Sequence, residues 1–328
     1  YFEVDDEGDV IVESASEGDD FVRSSVSWTL GANLENLALD GVADLTVTGN
    51  ALGNGLWGNL GNNVLTGGLG NDYLDGDAGN DVYVFNRGDA QDSIDTTDVL
   101  GASDTLRFGA GIADSDVLGF RYGTNLFLKI KGTSDQVAFI DYFGASTTID
   151  GLDADHKIDR VEFANGVVWD QAMIQTVVDR ATNNHSPTVN SYLPTLQARA
   201  GTAFSYTVPA NTITDPDAWD SVTYSITMQN GSAVPAWLRF DPVTRVISGT
   251  PGTGDVGTLQ FVLWGTDNYN YSAGEYVTMT IGVPNRAPTL ATALADQAAA
   301  PGAGFSYGVP AAAFTDPDGD ALIYSATL

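Results

Sequence analysis

Residues Gly49 to Val84 read GNALGNGLW, GNLGNNVLT, GGLGNDYLD and GDAGNDVYV, four nine-residue units without a gap. Glycine opens every unit, Asn or Asp fills the sixth place (Asn54, Asn63, Asp72, Asp81), and a large apolar residue fills the eighth (Leu56, Leu65, Leu74, Tyr83). A unit this short cannot bury its own apolar residue, so it must stack on its neighbours, each contributing a glycine-rich turn and a short strand. The expected fold class is therefore all-β, beginning with a parallel β-roll or β-solenoid, and function is to be sought in the turns.

The third unit, GGLGNDYLD, fits the pattern G-G-x-G-x-D-x-U-x without a departure. The block resembles the haemolysin-type (RTX, repeats-in-toxin) calcium-binding repeat family, and the resemblance implies Ca2+ as the cofactor. The chemistry supports this independently. Glycines let carbonyl oxygens point into a concavity without Cβ interference, and calcium takes six to eight oxygens at about 2.3–2.6 Å. In a two-sided roll, facing turns are every second unit, roughly eighteen residues apart. Asn54 then stacks on Asp72, and Asn63 on Asp81. The unit RGDAQDSID (Arg87 to Asp95), offset by Phe85 and Asn86, stacks Asp92 on Asp72. Asp72 with Asp92 is the first expected calcium position and Asp81 with Asn63 the next, with Gly67, Gly70, Gly76 and Gly79 shaping the turns. Asn54 and Asn63 offer a neutral oxygen, so weaker or empty positions are expected there. The competing reading makes Gly, Asn and Asp plain turn formers on a metal-free solenoid.

Outward from this block, residues 1 to about 48 read as degenerate coils, with short apolar strands at Asp9 to Val12, Phe21 to Val26 and Leu34 to Leu39. The segment SSVSWTLGANLENLALDG is similar to stretches that precede the nonapeptides in long RTX proteins. The acidic cluster Asp5, Asp6, Glu7 and Asp9 reads as a solvated loop of like charges, with a further cation site as the alternative. From Val99 the glycine period gives way to alternating strands, DTLRF, NLFLKIKG, QVAFIDYF and RVEFANGVVW. This stretch resembles the related domain that follows haemolysin-type repeats, and is expected to close the open end of the roll. Asp170 is a good N-cap for a short helix whose Ala172, Met173, Ile174, Val177 and Val178 share a face.

After the linker NNHSP the composition shifts: 32 of the 43 acidic residues precede Pro187 and 11 follow it. Strands of about six residues between Gly/Pro turns suggest an immunoglobulin-like β-sandwich. Pro187-Thr188, Phe204-Ser205-Tyr206 and Thr214-Asp215-Pro216-Asp217 recur about 101 residues later, from Pro288-Thr289 to Thr315-Asp316-Pro317-Asp318. The expected domains are thus the roll at 1–98, a capping domain at 99–182, a sandwich at 187–285 and a truncated second copy at 286–328. The residues PAWLRFDPVTRVISGTP and FVLWGTDNY resemble the dystroglycan-type cadherin-like domain. That resemblance implies calcium on Asp215, Asp217 and Asp267, although VPNRAP stands where true cadherins have an acidic linker. Trp219 and Tyr269, near turns of the sandwich, are candidates for stacking on sugar rings; Trp237 and Trp264 read as core.

A formal charge of −30 on 328 residues and a pI near 4.1 argue against nucleic acid or an anionic membrane as partners and favour a cation. With 43% hydrophobic residues the chain is nevertheless foldable. Cysteine is absent, and no apolar run approaches a membrane span. The chain begins at Tyr1 with no signal-peptide pattern before the repeats, and so reads as part of something longer. GNGLWG fits GxGxxG but lies inside the repeat frame, and Arg87-Gly88-Asp89 is likewise in frame. His156 and His185 belong to no HExxH, no GxSxG is present, and no catalytic activity is expected. The expected function is a calcium-binding, adhesive segment of a large secreted or surface-displayed protein, extracellular by a type I pathway, which folds as calcium binds outside the cell. The alternative is a non-catalytic carbohydrate-binding accessory region of a secreted polysaccharide-degrading enzyme, with polysaccharide or a cell-surface glycan as partner.

Overall fold

The computed structural model describes residues 1–15, 18–99, 102–145, 147–149 and 152–327. The chain divides into two compact units, 1–184 and 185–328.

In the first unit the nine-residue units alternate between two sheets. One sheet carries, in spatial order, Phe2–Val4, Phe21–Ser24, Asn36–Leu39, Gly55–Trp57, Tyr73–Asp75, Gln91–Asp95 and Gln136–Phe139, all parallel, then Asn125–Ile130 and Val117–Tyr122 antiparallel. The other carries Trp28–Thr29, Thr46–Thr48, Val64–Thr66, Val82–Phe85, Thr105–Phe108 and Arg160–Glu162, all parallel, and ends in antiparallel Val168–Asp170. The register is the one the spacing demands, with Gly55 opposite Tyr73 and Val64 opposite Val82. The eighth-place residues Leu56, Leu65, Leu74 and Tyr83 meet between the sheets, at most 1% exposed, and Ile94 and Leu106 continue the row. Each such side chain contributes about 1.5–3 kcal/mol by burial, which no single unit could realise alone.

Trp57 folds its ring over Gly55 on the outer face, between Phe21 and Tyr73 at centroid distances of 5.9 and 5.8 Å. A side chain at residue 55 would collide with that ring.

The expected strand at Asp9 to Val12 does not form, and Val10 and Val12 are exposed. The acids before it turn inward on their own backbone instead: Asp9 accepts from the amides of Asp5 and Asp6, and Asp6 from that of Gly8. At the other end, the expected strands 105–108, 125–130, 136–139 and 160–162 extend the two sheets. The helix Gln171–Thr182 is capped by Asp170, whose side chain accepts from the Met173 amide at 2.8 Å. It buries Ile174, Val177 and Val178 against strand Val117–Tyr122, where Gly119 leaves room for Val177; Ala172 is exposed rather than part of that face.

The second unit holds a sandwich. One sheet is Leu196–Arg199, Ser272–Gly282, Gly257–Thr266 and Thr223–Met228, the other Phe204–Thr207, Val246–Gly249 and Leu238–Asp241. Phe261, Leu263, Ile247 and Met279 are buried between them, and Trp237 packs on this core from its edge. The repeat at an offset of 101 is visible as structure: Thr188–Val189 pairs with Ile213–Thr214, as Thr289–Leu290 pairs with Phe314–Thr315.

Candidate metal centre

The turns that precede the strands form two columns, one on each side of the roll. In the first, Asn54, Asp72 and Asp92 lie one above another; in the second, Asn63, Asp81 and Asp104 do. Each carboxylate reaches back one coil: Asp72 Oδ1 accepts from the Asn54 amide at 2.7 Å, Asp92 Oδ1 from that of Asp72 at 3.0 Å, Asp81 Oδ1 from that of Asn63 at 2.7 Å, and Asp104 Oδ1 from that of Asp81 at 2.9 Å. All six side chains are at most 3% exposed.

One oxygen of each carboxylate is thereby satisfied, and the other poses the question of chemistry. Oδ2 of Asp72 and Oδ2 of Asp92 are buried without a hydrogen-bond partner. Burial pushes the Asp72 carboxyl up to about 6 and the Asp92 carboxyl up to about 8, with like charge adding at both: Asp89 beside Asp72, and Asp72 and Asp89 beside Asp92. Buried, unpaired carboxylate oxygens of this kind are costly unless a cation meets them. The turn geometry leaves room for one. Gly70 and Gly79 adopt φ of +119° and +137°, and a Cβ on either would strike the carbonyl oxygen of the coil below, Leu52 O or Gly61 O. Gly67 and Gly76 open the turns directly under Asp72 and Asp81, where a Cβ would occupy the place of the carboxylate. Hard oxygen donors in a concavity, with acidic side chains as the only charge, fit calcium.

Asn54 and Asn63 solve the same problem without an ion. Asn54 turns Oδ1 to its own Asn50 amide at 2.7 Å, and its Nδ2 donates to the carbonyls of Leu34 and Glu35 at 3.0 and 3.2 Å. Asn50 Nδ2 adds bonds to Gly31 O and Leu34 O, both at 2.7 Å. Asn63 and Asn59 repeat the device on the other side, toward Ala43 O and Asp40 O. One coil further on, Gly68 stands in place of Asn50 and Asp72 in place of Asn54. The amide donors are gone and a carboxylate has arrived.

Sequence reasoning did not single out Asp104, because an insertion separates it from the nonapeptides. Its signal was present nonetheless: Asp104-Thr105-Leu106 and Asp159-Arg160-Val161 repeat the acid, any residue, apolar order of the units. Asp159 Oδ2 in turn accepts from the Asp104 amide at 3.1 Å. Also unforeseen was a fifth-place asparagine ladder, in which Asn62 Oδ1 accepts from the Asn80 amide and Asn80 Oδ1 from that of Ser103, both at 2.8 Å. Asp89, the acid of the Arg-Gly-Asp triplet, is only 5% exposed.

In the sandwich, Asp215 and Asp267 come together, but the third carboxylate beside them is Asp220, with ligand atoms of all three within 4.8 Å. Asp217 faces elsewhere: it accepts from the His185 amide at 2.7 Å and from His185 Nδ1 at 3.0 Å, and these bonds hold its carboxyl below the usual range. The second copy repeats that clasp, with Asp318 accepting from the Arg286 amide at 2.6 Å. The second Asp of the DPD turn thus secures the segment leading into its domain. Trp219 is 44% exposed, whereas Tyr269 is half-buried with its amide donating to Asp267.

Comparison with known proteins matches three stretches of the chain. Residues 186–282 fit the family described as "Putative Ig domain", residues 125–173 the haemolysin-type calcium binding protein related domain, and residues 48–90 the RTX calcium-binding nonapeptide repeat. The iron-regulated protein FrpA of Neisseria meningitidis serogroup C is 38% identical over 103 residues, which is 31% of this chain and 9% of that protein. The chain therefore spans a small fraction of the curated relative it matches. Among solved structures, an endo-fucoidan hydrolase of glycoside hydrolase family 107 aligns at 14% identity and TM-score 0.25, covering 52% of this chain and 19% of its own. Protocadherin gamma B7 extracellular domains 1–4 align at 17% identity and TM-score 0.25, covering 53% and 36%. At that level neither bears on function. The sandwich match carries an immunoglobulin description and not a cadherin one. Asn54, Asn63, Asp72 and Asp81 thus lie within residues that match RTX repeats, a calcium-binding class, Asp92 and Asp104 continue the two columns beyond that match, and residues 125–173 match the domain related to haemolysin-type calcium-binding proteins.

Proposed function

We propose that this segment is a calcium-folded module of an exported protein, holding ions between its stacked turns and serving a structural, adhesive role outside the cell. The observation that carries the reading is the pair of buried, unpartnered Oδ2 atoms of Asp72 and Asp92. Asp72 and Asp92 would hold one ion in the first column, and Asp81 and Asp104 another in the second. In low-calcium cytosol the columns repel and leave the roll marginal enough to open for export; in calcium at roughly millimolar levels, binding free energy becomes folding free energy. Hydrogen exchange on the full chain tests this. Amides of Gly55–Trp57, Tyr73–Asp75 and Val82–Phe85 should be strongly protected in calcium and exchange markedly faster in EGTA, where the metal-free roll is only marginally stable. Equal protection in both buffers would refute the proposal.

The sandwich is proposed to carry a weaker calcium position on Asp215, Asp220 and Asp267, since Oδ2 of Asp215 and Oδ2 of Asp220 are also buried without partners. Asp220→Ala should then lower the number of ions bound by one. A non-catalytic role is part of the same proposal, and turnover in a broad hydrolase screen would overturn it. The glycan-binding alternative has Trp219 in its favour; retention on insoluble polysaccharide that is lost in Trp219→Ala would support it.

A further inference from the structure

Beyond the last coil of the roll, the first unit holds a cavity whose chemistry runs against that of the chain. Acidic residues outnumber Lys and Arg by 43 to 13. A cavity of about 420 Å³ is nevertheless lined by Arg121 and Lys157 and, among the described residues, by no acid. Phe143, Gly144, Gln171 and Gln175 join them in its wall. The volume falls within the roughly 300–1,000 Å³ of small-molecule sites.

The fold explains how these side chains meet. Arg121 stands two places after Gly119 on strand Val117–Tyr122, and so shares the face that receives Val177 of the helix. Gln171 and Gln175 precede Val178 at i, i+4, i+7 spacing, which carries both amides along the face of the helix that packs on this strand. Phe143 comes from the turn after strand Gln136–Phe139, and the Arg121 guanidinium carbon lies 4.6 Å from the centre of its ring. Arg121 Nε donates to Gly123 O at 3.0 Å. The guanidinium is thus held on two sides, while its Nη groups make no hydrogen bond and no ion pair among the described residues. Acids at the border are engaged elsewhere. Asp159 Oδ1 accepts from Gln171 Nε2 and Asp179 Oδ1 from Gln175 Nε2, both at 2.8 Å, and Asp141 Oδ2 stands 3.9 Å from His156 Nε2. Each glutamine therefore spends its donor outside the cavity wall and keeps Oε1 as an acceptor.

We propose that this cavity binds the acidic group of a saccharide, a uronate carboxylate or a sulfate ester, with Arg121 and Lys157 on the oxyanion and the glutamine Oε1 atoms accepting from hydroxyls. The inference rests on the reading of an adhesive segment outside the cell, and names an acidic polysaccharide as its partner. The planar fork of Arg121 matches two oxygens of such a group, and Lys157 adds a point charge. Cations alone would take any anion; the amide acceptors beside them require a ligand that also brings donors, as sugar hydroxyls do. A guanidinium already stacked on Phe143 loses little freedom when the anion docks. The net charge of −30 does not oppose this locally, because at physiological salt fields are screened beyond about 8 Å and the cavity's own side chains decide.

The test titrates the full chain, in calcium, with a hyaluronan tetrasaccharide that carries carboxylates, its uncharged methyl ester, and a carrageenan tetrasaccharide that carries only sulfates. Calorimetry should show binding of at least one charged sugar, with the tighter of the two identifying the oxyanion. The methyl ester should bind about tenfold more weakly than a bound hyaluronan tetrasaccharide, and Arg121→Gln should weaken the charged sugar by a similar factor. No binding of either charged sugar overturns the proposal, as does binding that survives Arg121→Gln. A tetraglutamate peptide bound as tightly as the sugars would mean that charge alone is read, and would overturn the saccharide assignment. Should Arg121→Gln fail to fold, Lys157→Gln decides: a severalfold loss supports the site and unchanged affinity refutes it. Hydrogen exchange that is equal in calcium and EGTA would instead overturn the calcium-folding reading, and the sugar titration reads the cavity independently of that result.

Discussion

Replacing Asp92 by Asn should have opposite effects in the presence and absence of calcium, and this separates a metal ligand from a turn-forming hydrogen bond. The substitution keeps Oδ1 for the Asp72 amide and removes the charge from an oxygen that has no partner. Without calcium, the Asp92 carboxyl sits at about 8 in the fold against 3.8 in a model peptide. Its folded value is raised, so the protonated fold is favoured and stability falls as pH climbs between those values. At about 1.4 kcal/mol per tenfold, the cost accumulated by pH 7.5 has a ceiling of about 5 kcal/mol. Relaxation and water entry reduce the working figure to about 2–3 kcal/mol. Asp92→Asn removes that cost and should stabilise the metal-free roll by the same amount.

In calcium the sign reverses. An ion present at a hundredfold its dissociation constant stabilises by about 2.7 kcal/mol, and a neutral amide forfeits most of this. Urea unfolding of parent and variant, followed by circular dichroism in EGTA and in excess calcium at pH 7.5, reads both terms. The parent should gain far more from calcium than the variant, and the variant should be the more stable of the two in EGTA. A variant destabilised by about 1 kcal/mol in both buffers would mean that Asp92 is only an acceptor for the Asp72 amide, and the calcium reasoning would be refuted.

Other perturbations follow from the same geometry. In EGTA, with Asp72 at about 6 and Asp92 at about 8, both raised by burial, the roll should become more stable as pH falls from 8 to 5, while calcium affinity measured by titration calorimetry should weaken over that range as protons compete. Gly70→Ala imposes φ +119° on a side chain and drives its Cβ onto Leu52 O, so it should cost roughly 2–4 kcal/mol in urea unfolding and raise the calcium midpoint. Gly111→Ala, at φ +84° with open space around it, should cost only about 1–2 kcal/mol. Leu74→Ala, in the middle of the apolar row, should cost about 2–5 kcal/mol with the calcium stoichiometry unchanged.

The repeat made the roll legible because its constraint is local and periodic. Asn54 over Asp72, Asn63 over Asp81 and Asp92 over Asp72 all follow from counting, and the backbone register repeats that count. What counting could not supply was direction. Asp217 and Asp215 are two residues apart in one turn, yet one clasps His185 while the other faces Asp220 and Asp267. Which way an acid points depends on the chain segment that needs its oxygen, and sequence spacing holds no trace of that. Asp9 to Val12 fails for a related reason: of its unbroken apolar run only Ile11 packs against the core, Val10 and Val12 face solvent, and the backbone joins neither sheet.

Asn54→Asp gives the sharpest check on the idea that amides and ions are alternative fillers of the same turn. Nδ2 of Asn54 donates to Leu34 O and Glu35 O, and losing both bonds while adding a buried charge should destabilise the metal-free roll by about 2–4 kcal/mol. The new carboxylate would lie in register between Glu35 and Asp72, in the place that the next coil fills with Asp72 itself. Calcium should therefore restore the loss and one further ion should bind, with hydrogen exchange at Asn36–Leu39 becoming calcium-dependent where the parent's is not. Asn50 still donates to Gly31 O and Leu34 O in the variant, so it obstructs part of the new position; Asn54→Asp combined with Asn50→Gly should bind the ion more tightly than Asn54→Asp alone. If neither variant gains an ion while both lose stability, the carbonyls of that turn are arranged for amides only, and the equivalence between the asparagine and aspartate coils is wrong.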